Sequence, residues 1–283
     1  MKKLYYPGYH DFKCIGPDCP MSCCYFQIRI FRFEEKLFDT CRQWADIDGK
    51  GGNIRSYLEK DDDGYYMKCK PDGCCVFRNG DKLCDIQLRH GDSAIPAICR
   101  TYPRIISRFP DRIEYALEPC CPVVAMSARE WETGTVITSR EAGDGYEGHG
   151  SVSAVRRDEA LSVLADTSLD LKACLERLSS MYGCGIDIPE LDISEFLSGF
   201  IRKQTALMTW AYILHYEGIP EIENVMEFII STDLLFIRHA SQLDLTEWKE
   251  TSYVFSRFLL DYSYERGFIL DYEDRFCDKR DYQ

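Results

Sequence analysis

The sequence has little of what several classes of protein require. Its longest apolar runs fall far short of the roughly 20 residues that span a bilayer, so no transmembrane helix is predicted. The first ten residues, MKKLYYPGYH, contain no apolar core and no small-residue cleavage site, so no export signal is expected. Basic residues are in the minority, with Lys+Arg 34 against Asp+Glu 47 and a net charge of −13. Binding to a nucleic-acid backbone needs a basic face, so the composition argues against a nucleic-acid partner.

The excess of acidic residues lies in the second half of the chain. Residues 1–121 carry 19 Lys+Arg against 18 Asp+Glu, whereas residues 122–283 carry 15 against 29. Such an acidic surface would attract a basic protein by electrostatic steering. It would equally serve solubility, which needs no partner. The charge pattern is therefore compatible with a protein substrate that has accessible lysines, without requiring one.

Cysteine, by contrast, is abundant. The chain has 15 cysteines, and eleven of them lie between Cys14 and Cys121 when Cys41 is set aside. They occur in five short segments: FKCIGPDCPMSCC (12–24), CKPDGCCVF (69–77), LCDIQ (83–87), ICRTYPR (98–104) and EPCCP (118–122). Cysteines grouped in this way bind metal or pair as disulfides. Cys41 instead shares the helical spacing of Phe38 and Trp44, which predicts a core residue.

The kind of centre depends on the compartment and on the spacing. A cytoplasmic location is expected without an export signal, and cytoplasmic thiols stay reduced, which favours metal binding over disulfides. Zinc sites usually combine two CxxC-type pairs, whereas these cysteines are dispersed, as is typical of an iron–sulfur cluster such as [4Fe–4S]. Zinc stays the alternative because sulfur-rich sites accept both metals. The CxxxCxxC loop of radical enzymes does not occur.

Taken together, the five segments resemble the flagellin lysine-N-methylase family (FliB), which belongs to a wider group of cysteine-cluster proteins that chelate zinc or iron. The resemblance covers about residues 10–125 at the level of motifs, and a helical stretch after residue 155 more loosely. It implies an S-adenosylmethionine-dependent methyltransferase that acts on lysine in a protein and carries an iron–sulfur cluster. The metal ligands that it implies are Cys14, Cys19, Cys23, Cys24, Cys75, Cys84, Cys99 and Cys121. Cys69, Cys74 and Cys120 lie beside these ligands but outside the family pattern.

Two further segments bear on cofactor binding. Arg100 and Arg104 closely follow a predicted ligand, and they could bind the carboxylate of S-adenosylmethionine, neutralise a thiolate-rich cluster or pair with a nearby acid. Residues 141–148, EAGDGYEG, match the GxGxxG pattern of nucleotide loops. That mechanism requires a buried strand before the loop and a helix directly after it. The preceding residues are short and polar, so we interpret the segment as a linker.

The pattern of residues predicts an α+β fold that is mostly α. Residues 1–133 form a cysteine-rich module with short strands near 27–33, 65–69 and 113–117 and a hairpin over 76–84. In that hairpin the Asn79-Gly80 pair would supply positive φ angles. Residues 34–60 are predicted to be helical, residues 134–154 to be a Gly-rich linker, and residues 155–283 to form an antiparallel helical domain that packs on the module. Its helices are expected over 156–166, 169–182, 192–216, 220–240 and 244–264, with caps at Ser168, within 192–195 and at Asp244.

The leading functional hypothesis is methylation of a protein lysine, flagellin-like or another, with an iron–sulfur cluster as a resident cofactor. The alternative is a metal-binding, redox or cluster-carrier protein without methyltransferase activity. A purely structural zinc protein is a third reading. In the first hypothesis, a nearby tyrosine, of which the chain has 18, or a carboxylate would accept the proton of the lysine.

Overall fold

The computed structural model describes residues 2–5, 8–62, 64–108, 112–131, 152–213 and 219–265. Within these residues there are six strands: β1 (Lys2–Tyr5), β2 (Arg29–Ile30), β3 (Leu58–Lys60), β4 (Tyr65–Met67), β5 (Arg104–Arg108) and β6 (Arg112–Leu117). The same residues form ten α-helices: α1 (Arg32–Glu35), α2 (Arg42–Ala45), α3 (Asp85–His90), α4 (Ala97–Thr101), α5 (Pro122–Ser127), α6 (Val152–Ala165), α7 (Leu171–Met181), α8 (Glu195–Ile213), α9 (Ile219–Ala240) and α10 (Trp248–Glu265). About half of the chain is helical and the two sheets have three strands each, which confirms the predicted α+β class with mostly helix.

The chain divides into two compact units. The first, which we call the cysteine unit, spans Cys14–Tyr102. The second, which we call the helical unit, joins Met1–Lys13 to Pro103–Phe276. The boundaries proposed from the sequence, 1–133 and 155–283, stay a prediction, and these units divide the chain at other points. Most of the predicted linker over 134–154 lies outside the described residues.

The cysteine unit contains a small antiparallel sheet in the order β2-β4-β3, with Tyr66 of β4 opposite both Arg29 and Glu59. The predicted helix over 34–60 is wrong: the structure has two four-residue helices, a 3₁₀ turn and strand β3 instead. The Asp46 carboxylate accepts from the Gly51 N–H, and the Asp48 carboxylate accepts from two further N–H groups of this turn. Short acidic side chains that bond to nearby N–H groups stabilise turns in competition with helix.

A turn follows strand β4 where the hairpin was expected. Arg78 and Cys84 form an antiparallel bridge, and the Asn79 N–H donates to the Leu83 carbonyl at 2.8 Å. The positive φ in this turn is not at Gly80, as we predicted, but at Lys82, where φ is 61°. The Asn79 side chain explains the different position of the positive φ angle. Its oxygen accepts hydrogen bonds from the N–H groups of Asp81 and Leu83 and so fixes the conformation of the turn.

The helical unit consists of a three-stranded sheet and the longer helices. Strand β6 is the central strand, parallel to β1 and antiparallel to β5. Helix α8 is buried along most of its length, and it contacts α6 and α9. The predicted helices after residue 155 are confirmed, although Asp170 rather than Ser168 caps α7, and α10 begins at Trp248. No helix in the described ranges is both long and apolar enough to cross a membrane.

Candidate metal centre

Four cysteines from separate segments of the cysteine unit come together beside its core. Cys24 lies on a 3₁₀ turn that the Ser22 side chain caps, and its carbonyl accepts from the Cys75 N–H at 2.7 Å. Cys84 is the residue before helix α3, and Cys99 lies within α4. Cys75 belongs to the hydrophobic core, and the other three pack against that core. We call Cys24, Cys75, Cys84 and Cys99 the thiol tetrad.

Each thiol of the tetrad interacts electrostatically with the other three. The thiol of Cys99 is influenced by those of Cys75, Cys24 and Cys84. The thiol of Cys75 is influenced by those of Cys24 and Cys84. Cys84 in turn is influenced by Cys24, which completes all the pairs. Four sulfur donors that mutually interact across turns of one small unit are a set that metals with a preference for thiolate would bind.

Burial keeps most of the tetrad protonated when no metal is bound. Desolvation raises the pKa of Cys75 to about 12, and it also raises the pKa values of Cys84 and Cys99. A charged thiolate is disfavoured in an apolar environment unless a cation compensates it. Metal binding to this tetrad would therefore release protons, because ligation needs the thiolate form.

Cys24 differs from the other members of the tetrad. The neighbouring Cys23 thiol donates a hydrogen bond to it and, with help from Ser22 and the Arg78 guanidinium, lowers the pKa of Cys24 to about 6. The same hydrogen bond is the main cause that raises the pKa of Cys23, with burial second. Of these two neighbouring thiols, Cys24 is therefore the one whose pKa is lowered and Cys23 the one whose pKa is raised.

The remaining predicted ligands lie outside the tetrad. Cys23 is next to it in sequence and also interacts electrostatically with Cys99 and Cys14. Cys14 and Cys19 interact with each other in the loop that precedes it. Cys121, at the N-cap of α5, is buried in the helical unit. The structure thus groups four of the eight predicted ligands beside one core, with Cys23 next to them and Cys14 and Cys19 in the preceding loop.

The three cysteines that the family pattern leaves out are also accounted for. Cys69 pairs with Cys75 in a β-bridge, and Cys74 lies beside Asp72, whose carboxylate accepts from its N–H. The Cys120 thiol donates to Glu118 at 3.2 Å within the helical unit. Every cysteine in the described ranges is a free thiol.

The two arginines predicted to bind the cofactor belong to different units. Arg100, in α4, is exposed and interacts electrostatically with the buried carboxylate of Glu34. Arg104, the first residue of β5, is exposed and lies over the rings of Phe12 and Tyr9 at 5.2 and 5.9 Å. Their role in binding S-adenosylmethionine stays a prediction. The GxGxxG segment at 141–148 lies outside the described residues.

Two charged residues near the tetrad, Glu34 and Arg78, carry no recognisable signal in the sequence. Glu34 is 3% exposed, and its carboxylate accepts from the N–H groups of Phe31 at 3.1 Å and Ala97 at 2.9 Å. It thereby joins α1 to the first turn of α4, which carries Cys99. A capping box normally begins with Ser or Thr, and here the N-cap is Phe31, so the pattern was not recognisable. Arg78, whose guanidinium lies over Tyr25 at 5.2 Å, has no motif around it.

The spacing of the thiols bears on which centre they fit. In a zinc site the Zn–S distance is about 2.3 Å, so tetrahedral sulfur ligands are about 3.8 Å apart. In the described residues, no three Cys, His, Asp or Glu side chains converge closely enough to hold a single ion. The thiolates of an iron–sulfur cluster bind different iron atoms, so they stand further apart than the ligands of one ion.

The chain matches no protein-family model, no curated protein and no solved structure with which it was compared. The resemblance to the flagellin lysine-N-methylase family consequently rests on the sequence motifs, and it stays a prediction.

Proposed function

We propose that the cysteine unit holds a [4Fe–4S] cluster on Cys24, Cys75, Cys84 and Cys99, and that the chain transfers a methyl group from S-adenosylmethionine to lysine in a protein substrate. The observation that carries the first half is that all four cysteines lie in or against one hydrophobic core. The mutual influence of their thiols on one another's pKa agrees with this grouping. The second half is supported by the motifs shared with the lysine methylases. The protein would act in the cytoplasm, where thiols are kept reduced.

Several features favour an iron–sulfur cluster over zinc at this site. All the donors are sulfur, and a cubane cluster needs one thiolate for each of its four irons. The thiols come from four separate segments rather than from two knuckles. The hydrophobic core lies against one side of the tetrad and excludes water there. Exposure to water is one of the factors that set the redox potential of such clusters.

The surrounding residues have defined tasks in this proposal. Glu34 fixes the position of α4 and hence of Cys99, because its carboxylate bonds to the Ala97 N–H. Arg78 brings a positive charge to Cys24 and so offsets part of the charge of the thiolates. A bound cluster would cross-link four segments that share only a modest apolar core, and ligand binding and folding are coupled in such modules.

The methyl-transfer step depends on the amine and on alignment. A lysine must lose its proton before it can attack the sulfonium methyl group, since an ammonium has no lone pair. Holding the amine in line with the methyl group would supply much of the rate. Arg100 and Arg104 are the side chains that we propose for the cofactor carboxylate, and the acidic residues of the second half would attract a basic substrate.

The first experiment tests the metal centre. Protein purified without oxygen should be brown, with a broad absorption near the wavelengths of sulfur-to-iron charge transfer, and it should contain iron and sulfide. A colourless protein with stoichiometric zinc would overturn the iron–sulfur proposal.

The second experiment tests methyl transfer on protein with a full cluster. Calorimetry should detect binding of S-adenosylmethionine, and S-adenosylhomocysteine should compete. Incubation with a lysine-bearing protein should add mass in steps of one methyl group, and added salt should weaken the substrate interaction. Arg100→Ala and Arg104→Ala should weaken cofactor binding, whereas the control Arg257→Ala, in α10, should not. No heat and no competition would discard the methyltransferase.

A cluster carrier or redox protein is the second candidate function. It is favoured by the match between four tetrad thiols and four irons, which leaves no iron open for a substrate or cofactor. A protein that carries a full cluster, does not bind S-adenosylmethionine and is reversibly reduced would establish this alternative.

A further inference from the structure

A groove lies open on the helical unit between helices α9 and α10. Its volume is about 780 Å³, within the range of about 300–1,000 Å³ that is usual for ligand sites. Helix α9 contributes Leu235 and His239 to the lining, and α10 contributes residues that include Tyr253, Phe258 and Asp261. These five side chains are exposed or half-buried. The groove is therefore accessible to a ligand from solution.

Aromatic rings form much of the lining, and several of them are nearly parallel. The ring centroids of His239 and Phe258 are 5.9 Å apart, with 21° between the ring planes. Those of Phe258 and Tyr262 are 6.1 Å apart, with 13° between the planes. The Tyr253 ring has an ammonium group beside it, because Nζ of Lys249 lies 5.9 Å from the ring centroid. Ring faces attract cations at distances up to about 6 Å, so this lining suits a cationic group.

Asp261 brings a negative charge to the groove. Its carboxylate accepts a hydrogen bond from Nε of Arg257, one turn earlier in α10, at 2.8 Å. Both side chains are more than half exposed, at 60% for Arg257 and 53% for Asp261. An exposed ion pair of this kind adds little stability. Asp261 can therefore exchange Arg257 for an incoming cation at small cost.

The helices around the groove are acidic as well. Residues 219–265 carry 9 Asp+Glu against 3 Lys+Arg. Such an excess of negative charge steers a basic segment toward this surface. A lysine side chain has an apolar stem that can cover ring and aliphatic surface, and an ammonium group that stays with water or a carboxylate. It thus matches the rings, the apolar lining and the carboxylate of the groove at once.

We propose that the groove between α9 and α10 binds a lysine side chain from a basic segment of the protein substrate. The methylene stem lies along Leu235 and Phe258, and the ammonium group meets the ring faces and the Asp261 carboxylate. This contact docks the substrate, so the lysine in the groove differs from the lysine that is methylated. The inference rests on the proposed function for the identity of the partner, a protein with accessible lysines.

The test measures peptide binding by the full-length protein, purified without oxygen and with no S-adenosylmethionine added. The probe is a fluorescently labelled peptide of alternating lysine and alanine residues, and fluorescence anisotropy gives its Kd. The same peptide with acetylated lysines is the uncharged probe. An ionic strength of about 0.15 M limits the reach of distant charges to about 8 Å.

Three variants change the groove, and one control changes the same helix outside it. Asp261→Asn removes the carboxylate charge, Phe258→Leu removes a ring, and Arg257→Ala removes the partner of Asp261. The matched control is Glu250→Gln, which removes an exposed carboxylate of α10 that does not line the groove. Eleven residues of helix place Glu250 about 16 Å from Asp261 along the axis.

The groove variants should change the Kd of the lysine peptide in opposite directions. We expect Asp261→Asn to raise the Kd about fivefold and Phe258→Leu to raise it about threefold. Arg257→Ala should lower the Kd about twofold, because it releases the Asp261 carboxylate from its ion pair. Glu250→Gln should leave the Kd within about 1.5-fold of the parent value, since screening weakens a charge at that distance. The acetylated peptide should not bind.

Equal effects of Asp261→Asn and Glu250→Gln would overturn the proposal, because net charge alone would then attract the peptide. It would also be overturned if the acetylated peptide bound as tightly as the lysine peptide, or if the parent bound neither. Since binding is measured without the cofactor, its outcome is separate from that of the methyltransferase. A protein that binds the peptide as expected but does not bind S-adenosylmethionine would retain the groove and lose the proposed activity. A protein that methylates lysine but binds the peptide equally well after Asp261→Asn would retain the activity and lose the groove.

Discussion

The cysteine unit and the helical unit differ in the kinds of side chain that form their cores. The core of the cysteine unit combines aliphatic and aromatic side chains with Cys75, and the other three cysteines of the tetrad pack against it. The helical unit buries large rings instead, and Phe200, Phe236 and Phe255 pack against one another with ring centroids 5.0 to 6.2 Å apart. Apolar burial stabilises the second unit without any further component. In the cysteine unit, four cysteine side chains occupy positions in or beside the core where larger apolar side chains would add stability. The stability of this unit should therefore depend on what the thiols bind.

The two units also differ in how they compensate buried carboxylates. In the cysteine unit, Glu34 accepts from two backbone N–H groups. In the helical unit, Glu114 is paired with Arg112 at 2.5 Å and with Arg157 at 2.7 Å, and the Arg157 guanidinium lies 3.8 Å from the Trp210 ring centre. Backbone N–H groups thus hold the Glu34 carboxylate in place. The Glu114 carboxylate is held by arginine side chains instead, and its pair with Arg157 joins strand β6 to helix α6.

The largest effect should come from removing tetrad ligands. The double variant Cys75→Ser with Cys99→Ser should lose the cluster and unfold the cysteine unit, because metal binding and folding are one equilibrium there. Hydrogen exchange followed by mass spectrometry should show loss of protection over 14–102 and retained protection in α8 and α9. Cys174→Ala, which truncates a buried thiol of the helical unit, should leave metal content intact, as should replacement of Cys41, Cys184 or Cys277. Loss of protection in both units to the same extent would contradict the comparison.

The next effect in size concerns the ion network of the helical unit. Glu114→Ala leaves Arg112 and Arg157 buried without their shared carboxylate, and we expect a loss of about 3–5 kcal/mol in unfolding free energy. Denaturant unfolding measures it, and cluster absorbance below the transition should match that of the parent. The control Arg257→Ala breaks an exposed pair with Asp261 and should cost less than about 1 kcal/mol. Equal losses of unfolding free energy in the two variants would show that the buried ion network stabilises the fold no more than an exposed ion pair does.

A smaller effect is expected at Glu34 in the cysteine unit. Glu34→Ala leaves the N–H groups of Phe31 and Ala97 without their acceptor, at a cost of about 1–3 kcal/mol for a buried unsatisfied group. Because α4 carries Cys99, the variant should also release the cluster to a chelator faster than the parent does. Glu34→Gln keeps one acceptor oxygen and should fall between the parent and Glu34→Ala. The control is Glu35→Ala, one residue along the same helix. A release rate that does not change would show that Glu34 supports the fold but not the position of Cys99.

The long helices and the strand before Cys120 were predictable because their signals are local. Leucine and phenylalanine recur at helical spacing through α8 and α9, and Pro122 stands at the first position of α5, where proline is favoured. The prediction of a helix over 34–60 was wrong because a periodic apolar pattern does not take the Asp46 and Asp48 side chains into account. These carboxylates accept hydrogen bonds from backbone N–H groups of their own turn. Tertiary and side-chain interactions overrode the pattern there.

The candidate site was predictable in its residue types but not in its grouping. The segments of Cys75 and Cys84 are joined by one turn, which Arg78 and Cys84 close as an antiparallel bridge. Sequence spacing could not separate Cys24 from Cys23, because adjacent residues differ only in the direction of their side chains. It could not show that Cys121 belongs to the helical unit either. Glu34 lies far from Cys99 in sequence, and their proximity follows from the fold alone.

The smallest and most specific effect should arise at Asp233 in the helical unit. Its side chain is fully buried in α9, one carboxyl oxygen accepts from the Thr205 hydroxyl at 2.7 Å, and the other oxygen has no hydrogen-bond partner among the described residues. Burial raises the pKa of Asp233 well above its usual value, so the folded state keeps a proton that the unfolded state releases above roughly pH 4. Stability is therefore lost as the pH rises from that value toward the folded pKa.

Asp233→Asn keeps the shape of this side chain without the proton, so its advantage over the parent should grow with pH. We expect the two proteins to be close in stability near pH 4.5 and the variant to be more stable by about 0.5–2 kcal/mol at pH 7.5. Urea unfolding followed by tryptophan fluorescence measures the difference. Thr232→Val is the control, because it changes a buried side chain of the same helix that does not titrate, and its difference from the parent should be equal at both pH values. A parent that became the more stable protein at high pH would mean that Asp233 is ionised in the fold. The helical unit would then resemble the cysteine unit in needing a bound cation to stabilise its core.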